Sequence, residues 1–196
     1  MISTRSPFQH GGVTRTVLAA LVAVGLSATA RADDAKTQEI DAGGLKFEAP
    51  ATWKSTPPQS QMRRAQLKIE PVKGDEDPAE LIVFAFPGGA GTVDANVERW
   101  QRQFRDKEGN PPRAEVKVVK GKNVESTRVE IAGHYFPSNF PGQPKQPDRE
   151  NYRLLGAIVL TDDTGYFLRL VGPEKTITAA KPAFDKLMES FKVEGK

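Results

Sequence analysis

Two segments of this chain are apolar at nearly every position, and they limit its fold more than any other feature. Leu81 to Phe86 reads LIVFAF, and Leu154 to Leu160 reads LLGAIVL. A strand with one wet face alternates apolar and polar residues, whereas a strand without alternation is covered on both faces. The two segments therefore read as central strands of a sheet that needs a layer on each side.

The rest of the chain supplies the outer strands and the cover. Arg64 to Glu70 alternates, with Ala65, Leu67 and Ile69 on one face, and Pro71 ends it. Glu115 to Val119 and Val124 to Ala132 read as a hairpin through 120–123, and Tyr152 to Thr161 and Tyr166 to Val171 as a second hairpin. In the arm 124–132, Thr127, Val129 and Ile131 alternate with Arg128, Glu130 and Ala132. Leu45 to Phe47 is a short strand, followed by Trp53 as a core or edge plug. Val93, Val97, Trp100 and Phe104 recur at helical spacing behind an N-cap at Thr92, with Asp94 near the positive end and Glu98 set to pair with Arg102. Phe184, Leu187, Met188 and Phe191 mark a closing amphipathic helix with Pro182 in its first turn. About seven strands and two helices, joined by turns, loops and one helix, give an α+β domain built on a central antiparallel sheet of about six to seven strands covered by helices.

The N-terminus carries an export signal. Met1 to Arg15 is polar with only basic charge, Val17 to Leu26 is an apolar run too short to cross a bilayer, and Ala28-Thr29-Ala30 or Ala30-Arg31-Ala32 offers a small-residue exit. The expected organisation is a signal peptide over 1–32, a flexible lead-in over 33–44 and a single domain over 45–196. An uncleaved anchor is the alternative. With the signal removed, no stable membrane span remains, and the protein is expected to be periplasmic or secreted.

Charge and composition close off several chemistries. The net charge is +3, but Arg5, Arg15 and Arg31 fall in the signal and none of the 25 acids does, so the remainder is balanced. A neutral domain offers no electrostatic case for nucleic acid. Cysteine is absent, which removes disulfides, thiolate catalysis and Cys-bound metals, and His134 is the one histidine beyond the signal. Zinc sites lean on His and Cys, so no metal and no cofactor is expected. Asp75-Glu76-Asp77 with Glu80 could face a hard cation, but lacks EF-hand spacing and reads as a hydrated loop. Gly88-Gly89-Ala90-Gly91 precedes a helix, but Asp94 stands where a dinucleotide motif needs glycine, so it reads as a tight turn. No Gly-x-Ser-x-Gly elbow exists, and no catalytic residue is assigned. If alternation continues, His134 shares a polar face with Arg128 and Glu130 as a solvated edge imidazole.

The stretch from Tyr135 to Glu150 is long and carries four prolines. Tyr135, Phe136, Asn139 and Phe140 give it apolar contact area in a stiff frame, which marks them, with His134, as candidate binding residues. The alternative is that these rings cover a sheet face. Arg63, Arg64 and Arg102 are further exposed candidates, with surface solubility as the alternative.

Phe47-Glu48-Ala49-Pro50-Ala51-Thr52-Trp53 resembles the F-x-x-P-x-x-W opening of PsbP-like domains. Gly165-Tyr166-Phe167-Leu168-Arg169-Leu170-Val171-Gly172-Pro173 and Met188-Glu189-Ser190-Phe191 resemble their closing strand and helix. Asn96 to Trp100 and Tyr152 to Ile158 are also similar to an exported bacterial family of unknown function. The resemblance implies an α/β/α sandwich and a non-catalytic accessory or binding role, with a protein or envelope component as partner. A carboxylate- or metal-dependent envelope hydrolase is the alternative.

Overall fold

The computed structural model describes residues 36–121, 124–137 and 146–194. The expected signal over 1–32, and Asn139 and Phe140, lie outside the described residues. In chain order the elements are β1 (Thr37–Asp41), β2 (Leu45–Pro50), β3 (Lys54–Ser55), β4 (Arg63–Ile69), β5 (Ala79–Pro87), α1 (Val93–Gln101), β6 (Phe104–Arg105), β7 (Glu115–Lys120), β8 (Glu125–Tyr135), β9 (Arg149–Leu160), β10 (Thr164–Pro173), α2 (Glu174–Glu189) and β11 (Lys192–Val193).

Eight strands form one antiparallel sheet in the order β3-β4-β5-β10-β9-β8-β6, with β7 pairing with β8 further along. Both continuous apolar segments are interior, β5 between β4 and β10 and β9 between β10 and β8, as their missing alternation requires. A three-stranded sheet, β1-β2-β11, makes a separate layer.

The two faces are covered unequally. On one, Leu67, Leu81, Val83, Leu155 and Leu168 pack under Ile177, Phe184 and Leu187 of α2 and under Leu45 and Phe47 of the small sheet. Phe47 and Phe191 meet edge to face at 6.1 Å, and full burial stabilises such rings by about 1.5–3 kcal/mol each. On the other face Val129, Ile131, Leu154 and Ile158 lie under Val97 and Trp100 of α1, with Phe104 beside them. One short helix cannot span so wide a sheet, and Phe84, Phe86 and Val171 stay half-buried there. The expected pair of helical layers is thus replaced by α2 plus a second sheet on one side and α1 on the other.

Three expectations are corrected. Residues 37–41 are not part of a flexible lead-in but strand β1, paired with β2 from Thr37 opposite Pro50 to Asp41 opposite Lys46. Its apolar signal is a single residue, Ile40, which packs on the core. Pro182 is not in the first turn of the last helix but within it, because α2 begins at Glu174. Thr176, Ile177 and Ala180 extend the buried face one helical period at a time ahead of Phe184, and the ring forfeits only the bond to the Thr178 carbonyl. Phe104 follows α1 rather than ending it, and is buried from β6. The Thr92 cap holds: its Oγ1 accepts from the Ala95 amide at 3.2 Å.

α1 approaches the sheet closely because β9 carries glycine beneath it. A Cβ on Gly156 would overlap the Trp100 ring. Gly156→Ala should lower the unfolding free energy by about 1–3 kcal/mol through overpacking, read as a fall in the urea midpoint by circular dichroism.

Candidate functional site

The strongest concentration of charge is buried between β8, β9 and α2. Arg128 and Glu130, expected on a wet face, are 8% and 4% exposed, because α2 covers the face that their alternation selects. Glu130 accepts from Arg128 Nη1 at 3.0 Å, from Lys181 Nζ at 2.8 Å and from Arg153 Nη1. Arg128 Nε donates to Asp185 at 2.6 Å, and Arg153 Nη2 to Glu174. Burial alone would raise the Glu130 carboxyl, but the hydrogen bonds from Lys181, Arg128 and Arg153 outweigh it and hold it at about 2. A general acid needs the opposite shift, so this carboxylate is a structural anion.

A second centre lies at the other end of β8, where the proline-rich stretch leaves the sheet. Tyr135 is half-buried, tilted against Phe104 at 4.9 Å and stacked on Tyr152 at 5.9 Å. Tyr152 donates to Asp77 at 3.0 Å, and Arg149 pairs with the same carboxylate at 3.1 Å. Burial, then the bond to Asp77, push the Tyr152 phenol up to about 12, so it remains a donor. The bulge opposite Gly133–Tyr135 puts its extra residue in β9, where Asn151 takes φ +54°, so alternation along β8 continues: Tyr135 packs on the α1 side with Val129 and Ile131, and His134 falls on the side of Arg128 and Glu130, as expected. There His134 sits opposite Arg105 and stacks on Phe136 at 4.4 Å, and the Arg105 guanidinium lies 5.7 Å above the Phe136 ring.

Arg149 also joins this corner to a trough of about 490 Å³, lined by Thr56, Pro57, Gln59, Gln66, Lys68, Pro78, Ala79 and Glu80. Gln66, expected on a wet face, is buried, donating to Glu80 at 2.6 Å and accepting from Arg63 at 2.9 Å. Arg63 thus holds a residue that lines the trough without lining it itself. Arg64 is exposed on β4 with its stem beside Gly43, and Arg102 is exposed and pairs with Glu98 at 3.2 Å.

The acidic loop serves protein contacts. Asp75 accepts from the Thr176 amide at 2.8 Å and its hydroxyl at 2.7 Å, capping α2; Asp77 and Glu80 go to the partners already named. Among the described residues no group of three His, Asp or Glu side chains could hold a metal ion. Tyr152, Arg149 and Gln66 are site residues that sequence reasoning missed, and Asp77 and Glu80, read there as part of a hydrated loop, are paired within the site. The acidic run and the Pro78 break marked the place, while the partners came from strands far along the chain.

No protein-family model matches the chain, and no curated protein matches it by sequence. Among solved structures it is similar to cyanobacterial PsbP (CyanoP) from a Synechocystis species, at 15% identity and TM-score 0.50, over 86% of this chain and 98% of that one. It is also similar to a Pseudomonas aeruginosa protein of unknown function described as a putative regulator, at 11% identity and TM-score 0.48, over 82% and 99%. A Bacteroides thetaiotaomicron protein is similar at 12% identity and TM-score 0.46, over 82% and 50%. The fold is PsbP-like, in agreement with the resemblance in residues 47–53 and 165–173. No described helix is long and apolar enough to cross a membrane.

Two measurements test the buried charge cluster. Glu130→Gln should cost about 3–5 kcal/mol, since three cations lose their counter-charge. The Glu130 carboxyl lies below its ordinary value in the folded protein, so its stabilisation is full above the ordinary carboxylate range and is lost as pH falls towards about 2. Urea midpoints measured down that range should fall steeply for the parent and less for Glu130→Gln; equal slopes would contradict the assignment.

Proposed function

We propose that this PsbP-like chain is an exported, non-enzymatic binding or accessory domain, and that it contacts a protein or envelope component through the α1 side of its sheet. The observation that carries this reading is the unequal cover. Where α1 stops, Phe84 and Phe86 stack at 6.2 Å in half-buried positions, the trough beside Gln66 and Glu80 opens further along the same side of β4 and β5, and Tyr135 and Tyr152 lie on that side at the far end of β8 and β9. Half-exposed rings on a rigid sheet beside satisfied polar groups make a surface that gains by being covered. The export features of residues 1–32 support placing it in the periplasm or outside the cell.

A carboxylate-dependent hydrolase is supported less well. Asp75, Asp77, Glu80 and Glu130 each go to separate protein partners rather than converging, and Glu130 is shifted away from acid catalysis.

The reading is tested with the full-length chain immobilised against envelope extract of the source cells. Phe84→Ala with Phe86→Ala should leave a cooperative unfolding transition while lowering retention of the captured component about tenfold. Unchanged retention would remove this face from the contact. Loss of folding would show the rings to be core and overturn the reading.

A further inference from the structure

β7 is an edge strand that exposes apolar side chains. Val116 is 47% exposed and Val118 62%, and Leu160, two residues beyond Ile158 on the same face, is 44% exposed. The register sets that face: Val116 stands opposite Val129 and Val118 opposite Thr127, which in turn faces Ile158, so all three point to the α1 side. Among the described residues nothing pairs with the outer side of β7. A six-residue edge with unpaired backbone groups and exposed valines is a template for another strand.

The opposite face of β7 says which strand. There Glu115 stands opposite Glu130 and Lys117 opposite Arg128, so each meets a like charge across the hairpin. Neither Glu115 nor Lys117 has an ion pair among the described residues. Two antiparallel strands related by a twofold axis normal to the sheet place residues of the same face opposite one another. In the register centred on Val116, each Glu115 meets the partner's Lys117, Val116 meets the partner's Val116, and Val118 meets the partner's Ala114. Glu115 and Lys117 then each gain an opposite charge on their outer side. Centring on Glu115 or Lys117 sets like charges against each other, centring on Val118 leaves Lys117 against valine, and centring on Ala114 pairs Glu115 with Arg113 but Lys117 with Pro111, so only the Val116 centre gives both residues an opposite charge.

We propose that β7 is the pairing edge of a twofold homodimer, in which the eight-stranded sheets of two copies join through residues 114–118 with Glu115 and Lys117 exchanged between chains. This goes beyond the binding role proposed above and does not depend on it, since β7 lies at the far end of β8 from Tyr135.

The proposal is tested by sedimentation velocity of the full-length chain over a concentration series. The parent should pass from monomer to dimer, with the 114–118 amides gaining hydrogen-exchange protection as the dimer forms. Glu115→Lys and Lys117→Glu alone should each weaken self-association about tenfold or more, by setting like charges opposite one another. Mixing the two single variants should restore dimer, because each mixed pair again opposes acid and base; a merely misfolded chain would not be rescued. A parent that remains monomeric up to about 1 mM, or a dimer that ignores both substitutions, overturns the proposal. So does a monomer whose 114–118 amides become protected only with envelope extract, which would assign the edge to a foreign strand. A variant that loses the dimer yet keeps envelope capture separates this edge from the contact surface around Phe84 and Phe86.

Discussion

The packing of this domain depends on one carboxylate. Glu130 is buried, and it is stable there only because cations from β8, β9 and α2 converge on it. An unpaired buried charge costs several kcal/mol, so arrangements that separate α2 from the sheet by a helical turn are penalised sharply, where apolar packing alone would be permissive. Glu174 and Asp185 of α2 hold the two arginines from their other sides, which fixes the helix both along and around its axis. The small sheet then follows. Ser190, at the end of α2, accepts from the Glu48 amide at 2.8 Å, and β11 pairs with β2 within a few residues.

That closed side makes the open side possible. With one face sealed by a helix and a second sheet, the other needs only α1 to complete a core. Phe84, Phe86, Arg149 and the trough remain at the surface on a frame that does not have to move. The charged cluster and the proposed contact face are therefore on opposite sides of the same strands, alternate residues of β8 and β9 belonging to one or the other.

Alternation was legible where a strand had contrasting faces, and so β4, the β7–β8 hairpin and the heart of α1 follow from the order of residues. What alternation cannot say is whether a polar face is wet. Arg128, Glu130 and Gln66 look solvated in sequence and are buried, because their cover comes from α2 or from a loop remote in the chain. The first half of α2 was hidden by Pro182, which reads as a helix start when only Phe184 onward is counted. β1 was hidden by its polarity, with Ile40 its one core residue. Of the candidate site, Tyr135, Phe136 and His134 were legible as an aromatic group, but their partners Phe104, Arg105 and Tyr152 meet them only through the β6–β8–β9 pairing. Trp53 and Phe47 of the opening motif both turn out to be core.

The placement of the two indoles has a practical consequence. Trp53 sits in the cluster beneath α2 and the small sheet, Trp100 in the cluster beneath α1, and the chain has no third tryptophan. Each layer therefore contains its own optical probe. With one indole replaced by phenylalanine at a time, intrinsic emission distinguishes melting of the sealed side from melting of the exposed side, without any added label.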